Sequence, residues 1–524
     1  MIVALLGIGC GVIARYAQLE PRLFWQDEAV AAVRISGHGA SDYVPLFDGR
    51  IHAASELAAM QVLAPGRGIG ETFASIVREE PQRNPLYYVA ARLWAGIFGD
   101  GIAALRAFSA TLGLIGIGLG YVLGARLTRS PLGGLILAAL IAVSPVQLRY
   151  SQQVREYILF ADLVALSLWF FLRALDRPAW SRWAAYGGAV AAGLYAGPQF
   201  VVLALGLGLV FVRSRNYGRR TIVGFVLASL AALVLFAPWF YLNIHAAPHT
   251  SSDVAWASGP YPLQSFVVKW AFNIGAVFFD TELATRALAI FLVPIYALVG
   301  FALYRHYRAP NDEAIQKLVW IPIFASSLPL VLFDIVRHAH YEAVTRYQLT
   351  TWIGIELAVA LVLAGAMTSL NRAARAGASV AFAYLIACGA FAAFAGGRYT
   401  VWWDNNEHFS EAAVARTIAA QPGATVVIEL AKQNYALVLS RYLPPQTKLL
   451  LYTQRLPDSA LRLPAPAFAF LPSANERTQL AAARIRLENA SPATELAVPD
   501  LRAQDPSGDD DISAQNALWK LSGK

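Results

Sequence analysis

Long apolar runs alternate with short polar connections from the beginning of the chain to about residue 396. Many of these runs approach the roughly 20 residues that a helix needs to cross about 30 Å of hydrocarbon. The pattern therefore predicts a polytopic α-helical membrane protein. Alternating the runs with their polar connections gives about eleven membrane-spanning helices, with the N-terminus inside and the end of the last span outside.

One long polar stretch, residues 19–100, follows the first apolar run directly. It contains the apolar segment 84–98, "NPLYYVAARLWAGIF", which at roughly 15 residues is too short to cross the membrane comfortably. We predict that this segment and residues 264–280 form amphipathic helices that lie on the outer membrane surface. Residues 19–100 then form one long external loop, and a loop of this length is usually functional.

The pattern changes after Gly396 to short β-like runs separated by polar and helical stretches. Strands that alternate with helices favour a small α/β domain. We therefore predict a transmembrane domain over residues 1–396 and a soluble α/β domain over 397–524, whose acidic tail "SGDDDIS" is disordered. The predicted strands are residues 425–430, 447–452 and 467–472, and the predicted helices are residues 435–441 and 476–487.

The composition agrees with a membrane protein. Charged residues make up 15% of the chain and hydrophobic residues 57%, whereas about 25% charged residues is usual for a soluble protein. The net charge of +8 reflects basic loops that set topology, so we expect no binding to nucleic acid. The two cysteines, Cys10 and Cys388, lie in apolar runs and predict no disulfide framework.

Clusters of arginine and lysine orient the predicted spans. By the positive-inside rule these connections are cytoplasmic, and the remaining connections and the C-terminal domain lie on the outer side. In a bacterium this corresponds to the inner membrane with a periplasmic C-terminal domain. The basic connections are residues 126–129, 173–182, 213–220, 305–317 and 372–375.

Two adjacent carboxylates, Asp27 and Glu28, follow the first apolar run at the predicted outer surface. The apolar residues Phe24 and Trp25 precede them and would limit water around Asp27, which raises the pKa of a carboxyl toward the value that a general base needs. The alternative is that the pair only caps the following helix, because acids favour helix N-termini.

Several stretches resemble, in order and spacing, the GT-C glycosyltransferases, in particular the bacterial branch of dolichyl-phosphate-mannose–protein mannosyltransferase-like enzymes that includes the aminoarabinose transferases. These stretches are "FWQDEA", residues 82–113, "SPVQLRYSQQVREYILF", "APWF" and "TRYQL". The resemblance implies a GT-C fold, an undecaprenyl- or other polyprenyl-phosphate-linked sugar as donor, and transfer on the outer face of the membrane. The acceptor would be a glycan, a lipid or a protein.

The resemblance also implies roles for single residues. Asp27 matches the proposed catalytic base, and Glu28 is expected to position it. The planar fork of arginine suits phosphate oxygens, although an arginine at a membrane interface also snorkels without binding a ligand. The residues that match positions for the donor phosphate are Arg83, Arg155 and Arg346, with Tyr87, Tyr157 and Tyr347 supporting them. The chain departs from the family at Asn84, which replaces a proline, and at Gln153, where many members carry glutamate.

Other polar residues have a structural interpretation first. Arg106, Asp162 and Glu356 fall inside or near spans, and Asp162 lies two helical turns after Arg155, so an ion-pair network is favoured. His338 and His340 are interpreted as solvated or packed against aromatic rings, with metal binding as the alternative. No cofactor is predicted, and the requirement for a divalent metal stays open.

The predicted function is an inverting glycosyltransferase. Sugar transfer needs a carboxylate to accept a proton and cations to hold the leaving phosphate, and the candidate acids and arginines named above would supply both. One alternative is a polysaccharide polymerase or ligase, which typically places its long outer loop late in the chain. A second alternative is a lipid-linked sugar flippase or transporter, which predicts inverted repeats and charges at the membrane midplane. The early position of the long loop and the lack of repeats disfavour both.

Overall fold

The structure is a computed structural model that describes residues 1–81, 83–213, 217–250, 263–281, 285–309, 318–337, 344–398, 411–458, 460, 463–492 and 517–522. The helices of the first half are α1 (Ile2–Tyr16), α2 (Gln26–Ile35), α3 (Ala40–Tyr43), α4 (Ala54–Ala58), α5 (Ile69–Glu79), α6 (Pro85–Phe98), α7 (Ile102–Thr128), α8 (Pro131–Val143), α9 (Pro145–Tyr150), α10 (Tyr157–Asp176), α11 (Trp180–Leu194), α12 (Phe200–Arg213) and α13 (Arg219–Thr250). The later helices are α14 (Leu263–Ala276), α15 (Thr285–Tyr307), α16 (Trp320–Arg337), α17 (Leu349–Met367), α18 (Arg372–Gly396), α19 (Glu411–Ala419), α20 (Gln433–Tyr442) and α21 (Ala474–Ala482). The strands are β1 (Ile51–Ala53), β2 (Thr425–Glu429), β3 (Lys448–Tyr452), β4 (Ala467–Phe470), β5 (Arg486–Asn489) and β6 (Leu518–Ser522).

Contacts between residues divide the chain into two units. The helical unit consists of residues 1–19, 84–87 and 106–398, and the α/β unit consists of residues 20–83, 88–105 and 399–524. The division after residue 398 lies next to the predicted domain boundary. Most residues of the predicted external loop, which the sequence analysis grouped with the transmembrane domain, fall into the same unit as the C-terminal residues.

Within the described residues, six helices are long and apolar enough to cross a membrane. This finding confirms the prediction of a helical membrane protein, and the count of about eleven spans stays a prediction. The six are Ile102–Thr128, Tyr157–Asp176, Arg219–His245, Ala287–Tyr307, Thr345–Met367 and Arg372–Gly396. Shorter apolar helices are Ile2–Tyr16, Pro131–Val143, Phe200–Phe211, Phe266–Ala276 and Trp320–Val336.

Helix α8 lies at the centre of the helical unit and packs against α1, α17 and α18. Small residues allow this close approach, as is usual between membrane helices. A Cβ atom added at Gly11 of α1 would lie 2.1 Å from the carbonyl oxygen of Ala142, and one at Gly389 of α18 would lie 2.6 Å from that of Val143. Larger residues at either glycine would therefore force the helices apart.

The buried residue Arg15 links α1 to α8. The guanidinium of Arg15 donates hydrogen bonds to the carbonyl oxygens of Ala142 (2.5 Å) and Ile141 (3.0 Å). Its charge also acts on two buried carboxylates, Asp162 and Glu356. The sequence predicted an ion-pair network for Asp162 with Arg155, but the charge acting on Asp162 comes from Arg15, and Arg155 pairs with another residue.

The α/β unit contains a six-stranded sheet with the order β1-β3-β2-β4-β6-β5. The three central strands are parallel, and β1, β5 and β6 join antiparallel. Strand β1 comes from the predicted external loop, and Ile51 pairs with Leu450 of β3. Residues of the loop and of the C-terminal segment thus build one sheet.

The edge strand β1 carries a histidine between two acids. His52 Nε2 lies 3.0 Å from Asp48 Oδ1, and His52 Nδ1 lies 3.1 Å from Glu56 Oε2. Partial burial alone would lower the pKa of His52, but the hydrogen bonds to the two carboxylates outweigh it and raise that pKa above its usual value. Protonation of this histidine therefore stabilises the edge of the sheet.

The predicted strands and the helix over 435–441 coincide with observed elements. The helix predicted over residues 476–487 is correct only in its first part, because α21 ends at Ala482 and β5 begins at Arg486. Arg484 has a φ of 60°, a left-handed conformation that cannot continue a helix. The acidic tail lies outside the described residues.

Candidate functional site

The predicted acid pair lies in the first turn of α2, within the α/β unit. Trp25 precedes the helix in an extended conformation and Gln26 begins it, so Asp27 and Glu28 lie where free backbone N–H groups favour negative charge. Glu28 is 0% exposed, whereas Asp27 is half-buried. Of the two acids, only Asp27 is therefore accessible to solvent.

Residues near the C-terminal end of α20 hold the turn that leads into this acid pair. The backbone N–H of Phe24 donates to the hydroxyl of Tyr442 at 2.7 Å. The guanidinium of Arg441 lies 4.9 Å from the centre of the buried Phe24 ring. The C-terminal segment therefore fixes the start of α2, a support that no local sequence signal predicts.

Arg83, the first predicted phosphate ligand, takes part in an ion-pair network. Its Nε lies 2.8 Å from Glu80 Oε1, and Arg34 Nε lies 2.7 Å from Glu80 Oε2. Arg34 also pairs with Glu79. Burial opposes ionisation, but Arg83 and Arg34 outweigh it and lower the pKa of Glu80 to about 2. The charge of Arg83 is therefore already compensated within the α/β unit.

In the helical unit, arginines surround a pair of tyrosines. The rings of Tyr150 and Tyr157 lie 5.2 Å apart in an edge-to-face arrangement. Arg155 Nη2 donates to the hydroxyl of Tyr157 at 3.0 Å and lies 3.3 Å from Glu156 Oε1. Arg149 lies with its guanidinium 5.4 Å from the centre of the Tyr150 ring.

Arg346 joins this group from a distant part of the chain. It lies in a 3-10 turn, Thr345–Gln348, with its guanidinium 5.3 Å from the centre of the Tyr347 ring. Its charge acts on Arg149 and on both tyrosines of the pair. We call these residues the arginine–tyrosine cluster: Arg149, Tyr150, Arg155, Tyr157, Arg346 and Tyr347.

The turn that carries Arg346 is held on both sides. The hydroxyl of Thr345 donates to Asn273 Oδ1 at 2.5 Å, and Trp352 Nε1 donates to the carbonyl oxygen of Thr345 at 3.0 Å. The rings of Trp270 and Trp352 lie 6.0 Å apart. Helix α14, which provides Asn273 and Trp270, thus fixes Arg346 in place.

Carboxylates lie close to the three arginines of the cluster. Among the described groups, the charge of Glu156 acts on Tyr157 and the charge of Asp280 acts on Arg149. Burial is the main cause that lowers the pKa of Arg149, and repulsion by Arg346 lowers it further, against the opposing effects of Tyr150 and Asp280. Arg155 is buried, whereas Arg149 and Arg346 are partly exposed, and guanidinium groups of this kind suit an anion.

The structure therefore brings together Arg155, Arg346, Tyr157 and Tyr347 of the predicted residues, whereas Arg83 belongs to the other unit. The sequence analysis did not name Arg149, although this residue lies in the stretch "SPVQLRYSQQVREYILF" that carries the family resemblance. The predicted supporting residue Tyr87 is buried, with its hydroxyl 2.7 Å from Ser109 Oγ, and packs between helices. The binding and catalytic roles of these residues stay predictions.

A metal site has no support in the part of the chain that the structure describes, where no three His, Cys, Asp or Glu side chains lie together in a suitable group. His338 and His340 lie outside the described residues. A role for a divalent metal therefore stays open.

The fold of the whole chain resembles that of ArnT from Cupriavidus metallidurans. The structure of ArnT bound to undecaprenyl phosphate matches with a TM-score of 0.57 and 14% identity, over 99% of this chain and 97% of that chain. The apo structure matches with a TM-score of 0.58 and 13% identity over the same shares. The chain thus has the fold of the GT-C membrane glycosyltransferases.

Sequence comparison gives the same class. Residues 80–242 match the family model described as dolichyl-phosphate-mannose-protein mannosyltransferase. This segment contains Arg83 as well as Arg149, Arg155 and Tyr157 of the cluster. Among curated proteins, none matches the chain. The predicted resemblance to GT-C glycosyltransferases is confirmed, and the chain is an enzyme of the glycosyltransferase class.

Proposed function

We propose that this enzyme moves a sugar from a polyprenyl-phosphate-linked donor to an acceptor on the outer face of a bacterial inner membrane, with inversion at the anomeric carbon. The observation that carries the proposal is the arginine–tyrosine cluster. Guanidinium groups bind phosphate oxygens through two parallel hydrogen bonds. ArnT, whose fold this chain shares, was crystallised with undecaprenyl phosphate, which supports a lipid phosphate as the ligand.

In this proposal, Arg155 and Arg346 bind the phosphate of the donor. Tyr157 and Tyr347 stack on these two arginines and restrict their side chains, so less entropy is lost when the phosphate binds. Arg83 stays a predicted phosphate ligand, and its ion pair with Glu80 restricts its guanidinium within the α/β unit.

Asp27 is proposed as the general base. The acceptor oxygen bonds to the anomeric carbon, its proton passes to the Asp27 carboxylate, and the bond to the phosphate oxygen breaks with its electron pair. Glu28 is buried beside it at the start of α2 and is proposed to position that turn. Its role is therefore indirect.

The external loop and the C-terminal domain are proposed to be periplasmic. The pairing of β1 with β3 supports a common location, because two strands of one sheet must lie on the same side of a membrane. Alkaline phosphatase fused after Gly397 is expected to be active, and a fusion at Arg177 in a basic loop is expected to be inactive. The reverse result would overturn the orientation and the assignment of the acceptor side.

The function itself is tested with purified protein and defined undecaprenyl-phosphate-linked sugars. Release of undecaprenyl phosphate that depends on an added acceptor, followed by mass spectrometry, would support the proposal. Lipid-linked intermediates that accumulate in a deletion strain would identify the donor and the acceptor together. Movement of the lipid-linked sugar across vesicles without any transfer would favour a flippase and contradict the proposal.

A further inference from the structure

One buried hydrogen bond ties a short helix of the cluster to a candidate membrane-spanning helix. Gln147 of α9 donates through its Nε2 to Glu356 Oε2 of α17 at 3.1 Å. Both side chains are buried, with Glu356 0% and Gln147 3% exposed. A carboxyl group inside an apolar span is costly and is usually either paired or functional. Packing alone would be served by an apolar side chain, so the glutamate indicates a requirement beyond packing.

The two helices that this bond joins both lead to residues of the cluster. Helix α9 ends with Arg149 and Tyr150. The Thr345–Gln348 turn, which carries Arg346, leads directly into α17. Glu356 lies about 12 Å along α17 from that turn, at a rise of 1.5 Å for each residue. The position of Glu356 and that of Arg346 are therefore connected through continuous helix.

Helix α9 in turn contacts the residues that hold Arg155. The ring of Tyr150 packs edge to face against the ring of Tyr157, with 5.2 Å between their centres. The hydroxyl of Tyr157 accepts a hydrogen bond from Arg155 Nη2 at 3.0 Å. A displacement of α9 would therefore disturb the orientation of Arg155, which is one of the two proposed phosphate ligands.

Other buried contacts fix the two ends of the same segment to backbone carbonyl groups. Before α9, Ser144 Oγ donates to the carbonyl oxygen of Val277 at 2.7 Å. After α9, Gln152 Nε2 donates to the carbonyl oxygen of Ala17 at 2.8 Å. Of these three contacts, only the hydrogen bond to Glu356 joins α9 to the helix that follows the Arg346 turn. A hydrogen bond requires a defined distance and direction, so a buried polar contact specifies one arrangement of its helices.

We infer that Glu356 is a positioning residue for the arginine–tyrosine cluster. Through Gln147 it holds α9, and with it Arg155, at a fixed place relative to Arg346. This inference rests on the proposed function, in which Arg155 and Arg346 bind the phosphate of the donor together. Two guanidinium groups can share one phosphate only when their spacing is correct, and a displacement of about 1 Å can cost about a hundredfold in rate.

The inference is tested by the binding of undecaprenyl phosphate to the purified full-length protein. Glu356→Leu removes the acceptor of the hydrogen bond and should raise the Kd by about ten- to a hundredfold. The KM of the lipid-linked donor should rise with it. Glu356→Gln keeps an acceptor oxygen for Gln147 Nε2, so this variant should restore binding almost to that of the unmodified protein.

A matched control separates positioning from the general stability of α17. His306 Nε2 lies 3.0 Å from the carbonyl oxygen of Ala358, two residues after Glu356, and joins α15 to the same helix. His306→Leu removes this buried contact without touching α9, so it should lower the Tm and leave the Kd of undecaprenyl phosphate nearly unchanged.

A double variant shows whether Glu356 acts through Gln147. Gln147→Leu removes the donor of the same hydrogen bond and should weaken binding as Glu356→Leu does. The double variant should bind no more weakly than the weaker single variant, because the two changes remove one shared interaction. If Glu356→Leu does not fold in detergent, Gln147→Leu and the conservative Glu356→Gln decide the question by the same measurement.

The outcomes separate the inference from the proposed function. Three results would overturn the inference alone: unchanged binding in Glu356→Leu and Gln147→Leu, equal loss in Glu356→Gln and Glu356→Leu, or equal loss in the His306→Leu control. Effects of the two leucine variants that multiply in the double variant would also contradict it. An unmodified protein that neither binds undecaprenyl phosphate nor transfers sugar would overturn the proposed function as well.

Discussion

Glu80 provides a quantitative test of the ion-pair network around Arg83. Its carboxylate bridges Arg83 and Arg34 at 2.8 and 2.7 Å, and its side chain is 14% exposed. The change Glu80→Gln keeps the size of the side chain but removes its charge. Both arginines then lose a counter-ion in a site with little access to water.

The magnitude follows from the pKa of Glu80. Burial acts to raise it, but Arg83 and Arg34 dominate and bring it from 4.5 to about 2. The difference of about 2.5, at 1.36 kcal/mol for each pKa unit, corresponds to about 3 kcal/mol of folding stability. Because the folded-state pKa is the lower one, this contribution is complete above pH 4.5 and is lost as the pH falls toward 2.

The assay is hydrogen–deuterium exchange of the full-length protein in detergent, corrected for the intrinsic rate at each pH. At pH 7, peptides from α2 and α5 should open more easily in Glu80→Gln by about 3 kcal/mol. At pH 3 the difference from the unmodified protein should shrink. The matched control is Glu71→Gln, which removes an exposed acid from α5, the helix that Glu80 follows directly. Unchanged exchange at pH 7, or a difference that does not depend on pH, would refute the reasoning.

Four further predictions concern the acid, the cluster, the membrane core and the sheet. Asp27→Asn should reduce transfer at least ~100-fold with unchanged thermal unfolding; near-full turnover would leave Asp27 as a helix cap only. Arg346→Lys keeps the charge but loses the fork, so the KM of the donor should rise, and an unchanged KM would exclude Arg346 from donor binding. Arg15→Met removes the buried hydrogen bonds to the carbonyl oxygens of Ala142 and Ile141 and should cost about 1–3 kcal/mol, seen as a lower Tm; an unaltered Tm would contradict this contribution. His52→Gln should weaken protection of β1 below pH 6.5 and have progressively less effect as the pH rises through the raised pKa of His52; a loss that is equal at all pH values would argue against the two flanking carboxylates as its cause.

The local sequence pattern was sufficient to predict the helices and strands whose apolar composition alone favours burial. The apolar runs predict membrane helices because length and hydrophobicity alone decide whether a helix can cross a bilayer. Strands β2, β3 and β4 are buried on both faces in a parallel arrangement, so they read as continuous apolar runs. The helix signal over 476–487 failed in its second part, because pairing of β5 with β6 overrides local propensity.

The candidate site residues also divide into those that the sequence indicates and those that only the structure brings together. Asp27, Arg155 and Arg346 could be found from sequence, because each belongs to a motif of adjacent residues with chemical meaning. Arg149 could not be distinguished from an interfacial arginine by its neighbours in the chain, and Arg346, whose charge acts on it, lies almost 200 residues away. Only the tertiary structure brings the charge of Arg346 to act on Arg149.

The sequence by itself determined that the chain is a helical membrane protein and where the central strands of its sheet lie, and it named the acids and arginines that are candidates for catalysis. The tertiary structure alone decided that β1 of the external loop completes the C-terminal sheet, that Tyr442 and Arg441 fix the turn before Asp27, and that Glu80 compensates Arg83. The physical reason is that hydrophobicity acts along short stretches of chain. Strand pairing and charge compensation instead join groups that are distant in sequence and become energetically coupled only when folding removes them from water.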